Sequence, residues 1–194
     1  MSEPTTQSEE RTTLVYDDDG LGRPPWAMSS PMLKEYYDTE WGLPIFDEAG
    51  LYERLSLESF QSGLSWAVVL KKREAFRAAF CNFDPDKVAQ FDETDVERLL
   101  GDASIIRNET KIRAAINNAK ATIALREEGG LAEFIWAYQP PENLYPTVME
   151  DIPKKSYESK LMSRELKKKG FRFVGPVTCF ALMEAIGMID THLI

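Results

Sequence analysis

An all-α protein assembled from many short helices is what this 194-residue chain predicts. Apolar residues recur at helical spacing through most of its length, start and stop signals cut the pattern into short pieces, and strand-like runs are sparse. The length suggests one domain, or two closely joined lobes sharing a core. Residues 1–20 are polar, acidic and poor in apolar periodicity, which predicts a disordered acidic tail ahead of a single helical domain over 21–194.

Taken in order, Gly22-Arg23-Pro24-Pro25 predicts an extended lead-in. Ser30-Pro31 then opens a short helix, with serine at the N-cap and proline at the first position. Helical spacing follows at roughly 31–41, 47–62, 66–80, 84–90, 92–101 and 109–128. Asp84-Pro85 and Asp92-Glu93-Thr94 supply helix starts, and Gly129-Gly130 supplies a stop for the helix ending at Glu128. Further helices fit 130–138, 156–169 and 174–188. Between them, Pro140-Pro141 through Pro153 predicts a long surface loop. Phe171-Arg172-Phe173-Val174, bracketed by Gly170 and Gly175, is the one β-like run. No internal repeat is visible.

Composition narrows the function classes. Apolar residues at 43% and aromatics at 11% supply a substantial core and exclude wholesale disorder. No apolar run approaches the roughly 18 residues a membrane span needs, and no secretory signal pattern is visible at the N-terminus. Cys81 and Cys179 lie in apolar surroundings without metal-pair spacing, as expected of reduced thiols in a cytoplasmic protein. The net charge of −9 argues against a nucleic-acid partner. However, Glu3, Glu9, Glu10, Asp17, Asp18 and Asp19 against Arg11 put −5 of it in the first twenty residues, leaving −4 for the rest. Lys71-Lys72-Arg73 and Lys167-Lys168-Lys169 with Arg172 are local basic clusters. Charge therefore permits DNA binding without suggesting it.

Glu58 carries the most chemical information. On a helical stripe it follows Leu51 and Leu55 and precedes Ser62. A carboxylate in line with two leucines is costly to desolvate without a partner. Gly63-Leu64-Ser65-Trp66 then breaks the helix and brings an indole close. An acid beside an aromatic face suits a planar cationic ligand. The competing reading leaves Glu58 at the core's edge, reaching solvent. Asp95 through Ile112 reads as helix, tight turn, helix. The second helix's N-terminus would offer unpaired N–H groups, with Ser104 in the turn and Arg107 and Lys111 in or beside it. Such a hairpin can hold a DNA phosphate without reading bases, although most hairpins of this kind only pack helices.

Placed together, these segments resemble the 3-methyladenine DNA glycosylase I family, one of the helix–hairpin–helix DNA repair glycosylases. The likeness runs from about Trp26 to His192. It is carried by Tyr36-Tyr37-Asp38-Thr39-Glu40-Trp41-Gly42, by Glu58 through Glu74, by Phe83-Asp84-Pro85 and Ile105-Ile106-Arg107, and by Gly170 through Gly187. The resemblance implies an enzyme that flips 3-methyladenine out of double-stranded alkylated DNA and hydrolyses its N-glycosidic bond, releasing free 3-methyladenine. It implies that Glu58 is the catalytic and base-reading acid, with Trp26, Tyr36 and Trp66 walling the substrate pocket. It further implies that Ser104, Arg107 and Lys111 contact DNA. A cytoplasmic monomer is expected. No Asp lies between Asp102 and Asp151, so the catalytic Asp that related glycosylases keep downstream of the hairpin has no counterpart. No pocket lysine suggests a Schiff base.

The chain departs from the family at the zinc site that usually ties the two ends together. Pro24 and Tyr37 stand at two ligand positions, His192 matches a third, and the fourth would fall beyond Ile194. One ligand of four cannot close a tetrahedral site, so no zinc and no cofactor is expected, His192 is expected as a surface or capping residue, and packing by Tyr37 and Pro25 should hold the ends. Leu33 replaces a family tyrosine in the pocket. Ser104 replaces a hairpin glycine, where a left-handed backbone would strain it. These departures keep a second function open, a catalytically weak or inactive member that binds DNA or a nucleobase. A helical protein-interaction domain has only the acidic tail in its favour.

Overall fold

The computed structural model describes residues 11–194. Among them, a two-stranded antiparallel ribbon, β1 (Val15–Tyr16) and β2 (Gly22–Arg23), precedes ten α-helices. These are α1 (Pro31–Thr39), α2 (Glu48–Gln61), α3 (Trp66–Lys71), α4 (Arg73–Ala79), α5 (Pro85–Val88), α6 (Glu93–Gly101), α7 (Glu109–Leu125), α8 (Gly130–Trp136), α9 (Tyr157–Lys168) and α10 (Pro176–Ala185). No helix among the described residues is long and apolar enough to cross a membrane.

Local chemistry sets most helix starts. Ser30 caps α1 through its hydroxyl, with Pro31 inside. Asp47, Asp84 and Asn108 cap α2, α5 and α7 through side-chain oxygens. Asp92 with Asp95, and Ser156 with Ser159, close reciprocal capping boxes on α6 and α9. The helix expected over 66–80 is two helices, broken where Lys72 leaves helical geometry at φ −97° and ψ 0°.

One apolar cluster runs from Leu51 on α2 to Ile189 and includes Phe60, Phe76, Phe80, Phe83, Ile112, Met162, Phe180 and Met183. A smaller one joins Leu33, Tyr36 and Leu70, with Trp66 packed against both. Trp66 thus links the two clusters. Helix α2 lies at the centre of the larger one, packed on α7, α8 and α10.

Two further expectations are corrected. The β-like run at 171–174 is not a strand. Its backbone is held by side chains: Asn118 bonds both the N–H and the carbonyl of Arg172, Ser59 donates to the Phe173 carbonyl, and Ser163 to that of Val174. Phe173 takes a left-handed φ of 56°, which a strand forbids. The second correction concerns the tail. Residues 1–10 lie outside the described residues, but 11–20 are folded. Val15 and Tyr16 pair with Arg23 and Gly22, and Asp17 and Asp19 form ion pairs with Lys34 and Arg23. The Thr12 carbonyl accepts from Met149 N, and Thr12 Oγ1 donates to Glu150 at 2.6 Å. Acidic composition marks disorder only when the charges lack partners, and here basic partners lie within reach.

Candidate active site

Between α1, α2, α3, α10 and the Met149–Lys154 segment lies a cavity of about 540 Å³. Trp26, Tyr36, Glu58 and Trp66, spread over forty positions, all line it, as does Leu33. The break after α2 makes this possible. Gly63 takes φ +79°, which turns the chain so that α3 starts at Trp66 with its indole facing the Tyr36 ring, centroids 5.3 Å apart.

Glu58 is buried, 5% exposed, and faces the cavity; among the described residues its carboxylate forms no hydrogen bond. Burial raises its pKa to about 8, Arg54 pulls it down, and Glu184 pushes it up. Burial therefore favours the protonated form of Glu58 over the bare carboxylate the sequence suggests. The indole N–H of Trp66 is likewise buried and unpartnered. Buried polar groups without partners are few in folded proteins, and each calls for an explanation such as an ordered water, an ion or a ligand.

Residues not anticipated from sequence complete the site. Arg54, one turn before Glu58, is buried, donates to Tyr36 Oη, and lies 3.6 Å from Glu40. Glu184 lines the cavity from α10, accepts from Thr191 Oγ1 at 2.8 Å, and is raised by burial to about 7. One sequence signal was available: Glu184 is the only charged residue in α10, Pro176–Ala185. Met149, Ile152 and Pro153 add a wall from the proline-rich loop, which is less superficial than expected because Pro146 and Val148 are buried.

The hairpin residues behave differently from one another. Arg107 is exposed between α6 and α7. Lys111 is turned inward, 7% exposed, with Nζ donating to the carbonyls of Phe60, at 2.9 Å, and Ser62, at 2.5 Å. Its expected phosphate contact is corrected to a tether between α7 and the end of α2. Ser104 is exposed, but its N–H and hydroxyl both bond Asp102, and its φ is not left-handed. Its amide is engaged internally, and the left-handed strain expected of a serine at this position is absent. Lys72 Nζ fastens the turn through the carbonyls of Ala103 and Ser104.

The residues at the family's zinc positions do not fit a zinc ion. Pro24 has no donor side chain. Tyr37 is stacked on Trp41 and tilted against His192, with Trp26 edge-on to both Tyr37 and Trp41. His192 bonds Asp190 through Nδ1 at 2.6 Å and packs edge-on to Trp41, 4.8 Å between centroids. With its side chain 41% exposed, it is the surface residue expected, and it also joins an aromatic cluster.

An aromatic-walled cavity with a buried acid, set in an all-helical scaffold, has the makings of a pocket for a single planar base. The family follows directly: residues 26–194 match the methyladenine glycosylase model, and the chain belongs to that family. It is 42% identical over 172 residues to DNA-3-methyladenine glycosylase 1 of Escherichia coli, covering 87% of this chain and 92% of that protein. It is 41% identical to DNA-3-methyladenine glycosylase of Haemophilus influenzae, covering 88% and 94%. Among solved structures, 3-methyladenine DNA glycosylase I superposes with a TM-score of 0.82 at 41% identity, covering 85% of this chain and 92% of that one. The Staphylococcus aureus enzyme, solved to define 3-methyladenine recognition, gives 0.81 at 36% identity, covering 85% and 89%.

Proposed function

We propose that this chain is a DNA-3-methyladenine glycosylase I, a monofunctional hydrolase of base excision repair acting on alkylated double-stranded DNA. The observation that carries the reading is Glu58, buried and unpartnered in a cavity walled by Trp26, Tyr36 and Trp66. Adenine methylated at a ring nitrogen within DNA is cationic. Aromatic faces attract it, and its arrival compensates the charge that burial otherwise keeps off Glu58. The proton leaves as the cation enters, and the carboxylate then accepts from the base N–H groups.

In the chemical step the C1′–N bond breaks and the base departs with the bonding electrons. Water supplies the hydroxyl to C1′ and gives up a proton. A cationic base is a good leaving group, so the vacant position of the downstream Asp is tolerated. The two free thiols and the family's chemistry support a cytoplasmic location. No cofactor is proposed.

The test is incubation with methylated DNA and chromatography of the released base. Free 3-methyladenine is expected, and binding without release would instead favour the non-catalytic reading. By titration calorimetry, Glu58→Gln should weaken free 3-methyladenine binding about ten- to a hundredfold, the worth of a charged hydrogen bond of roughly 1.5–3 kcal/mol. Equal affinities in wild type and variant would refute the assignment of Glu58.

A further inference from the structure

Among the described residues, Arg54 is the buried arginine that packs behind the cavity wall, against Tyr36 and Trp66. Its side chain donates to Tyr36 Oη, and its guanidinium lies 5.2 Å from the Tyr36 ring centre and 6.0 Å from that of Trp66. Glu40, its only ion-pair partner among the described residues, already receives two hydrogen bonds from Arg73, at 2.6 and 2.8 Å. Two arginines therefore share one carboxylate. The positive charge left over sits one helical turn from Glu58 on the same face of α2.

We propose that Arg54 is a positioning residue for base recognition, holding Tyr36 Oη as an acceptor so that the tyrosine turns its own proton into the cavity, and setting the ionisation of Glu58 through its surplus charge. The inference rests on the base-pocket reading above. Its chemical basis is that a guanidinium can only donate. Tyr36 Oη must accept from it, and the phenolic hydrogen is left for a lone pair on the extruded base. Tyr36 thereby selects for a base presenting an acceptor at that edge, while Glu58 selects for donors. The charged and titratable groups around Glu58 are Arg54 on its own helix, Tyr36 from α1 and Glu184 from α10, the last held by Thr191. Of these, Arg54 alone favours the carboxylate.

The experiment follows the Glu58 side-chain carboxyl by ¹³C NMR titration in the free protein, and 3-methyladenine affinity by calorimetry, in wild type, Arg54→Met and Arg54→Lys. In Arg54→Met the Glu58 midpoint should rise by about one pH unit and affinity should fall about tenfold. Arg54→Lys should hold the midpoint within about half a unit, because the charge is kept, while affinity weakens through the lost geometry. In a Tyr36→Phe background the affinity cost of Arg54→Met should be less than half its cost alone. A purely structural arginine would lower the melting temperature and leave the Glu58 midpoint where it was, and that result overturns the proposal. Should Arg54→Met fail to fold, Arg54→Lys decides: unchanged affinity overturns the proposal and weakened affinity supports it. Wild-type protein that does not bind 3-methyladenine would sink the base-pocket reading, while the Glu58 midpoint would still test Arg54.

Discussion

Burying an acid that has no partner costs stability, and Glu58 shows where that cost is incurred. Its folded pKa of about 8 lies above the ordinary glutamate value of 4.5, so between those values the folded state binds a proton that the unfolded state has released. Stability from this group is intact below the unfolded pKa and drains away as pH rises toward 8. Glu184, raised to about 7, acts in the same direction over a narrower window. Replacing Glu58 with glutamine removes the penalty and keeps the shape. Glu58→Gln should therefore melt higher than wild type, with a gap that is small near pH 5 and widens to pH 8. A gain of on the order of 2 kcal/mol corresponds to roughly 4–8 °C for a protein of this size. Calorimetric scans at pH 5, 6.5 and 8 check this, and a pH-independent difference would show that Glu58 is not the titrating group. The same variant loses base affinity, as expected where function and stability compete for one residue.

Helices of this chain were largely legible because their ends are written in local chemistry. Ser30-Pro31, Asp84-Pro85 and Asp92 each cap the helix they were expected to start. Local chemistry was silent on what tertiary contacts decide. The break at Lys72 follows no proline or glycine, and the side-chain clamps that make 171–174 a loop come from α2, α7 and α9. The hairpin illustrates the same limit, since Arg107 and Lys111 are alike in sequence but Lys111 alone is buried. Arg107→Ala should reduce the slope of log affinity for DNA against log salt by about one, with little change in melting. Lys111→Met should leave that slope unchanged and cost about 1–3 kcal/mol of stability, because two carbonyls lose their donor. A lower salt slope in Lys111→Met would return that lysine to the DNA surface.

Across the whole molecule, the site was legible as four residues and unreadable as a cavity. Trp26, Tyr36, Glu58 and Trp66 come together, but Arg54, Glu184 and the Met149–Lys154 wall depend on how α1, α10 and the proline-rich loop are stacked. That stacking joins the beginning of the domain to its end. Gly42 N donates to the Ala185 carbonyl at 3.1 Å, and Gly187, at φ +68°, passes so close that a Cβ there would lie 2.3 Å from Gly42 O. Beside this crossing, Trp26, Tyr37, Trp41 and His192 pack as one aromatic cluster where the family's metal would sit. Aromatic pairs of this geometry each contribute about 0.5–1.5 kcal/mol beyond their buried area, and we propose that the cluster does the joining in place of a metal ion. The melting temperature should therefore be the same with and without a strong chelator. His192→Ala should lower it by a few degrees, losing roughly 1–2 kcal/mol of ring contact. Tyr37→Ala, which removes contacts to three rings, should lower it further. About one zinc per chain in elemental analysis of protein purified without added metal, or a chelator-induced drop in melting, would put a metal back at the junction.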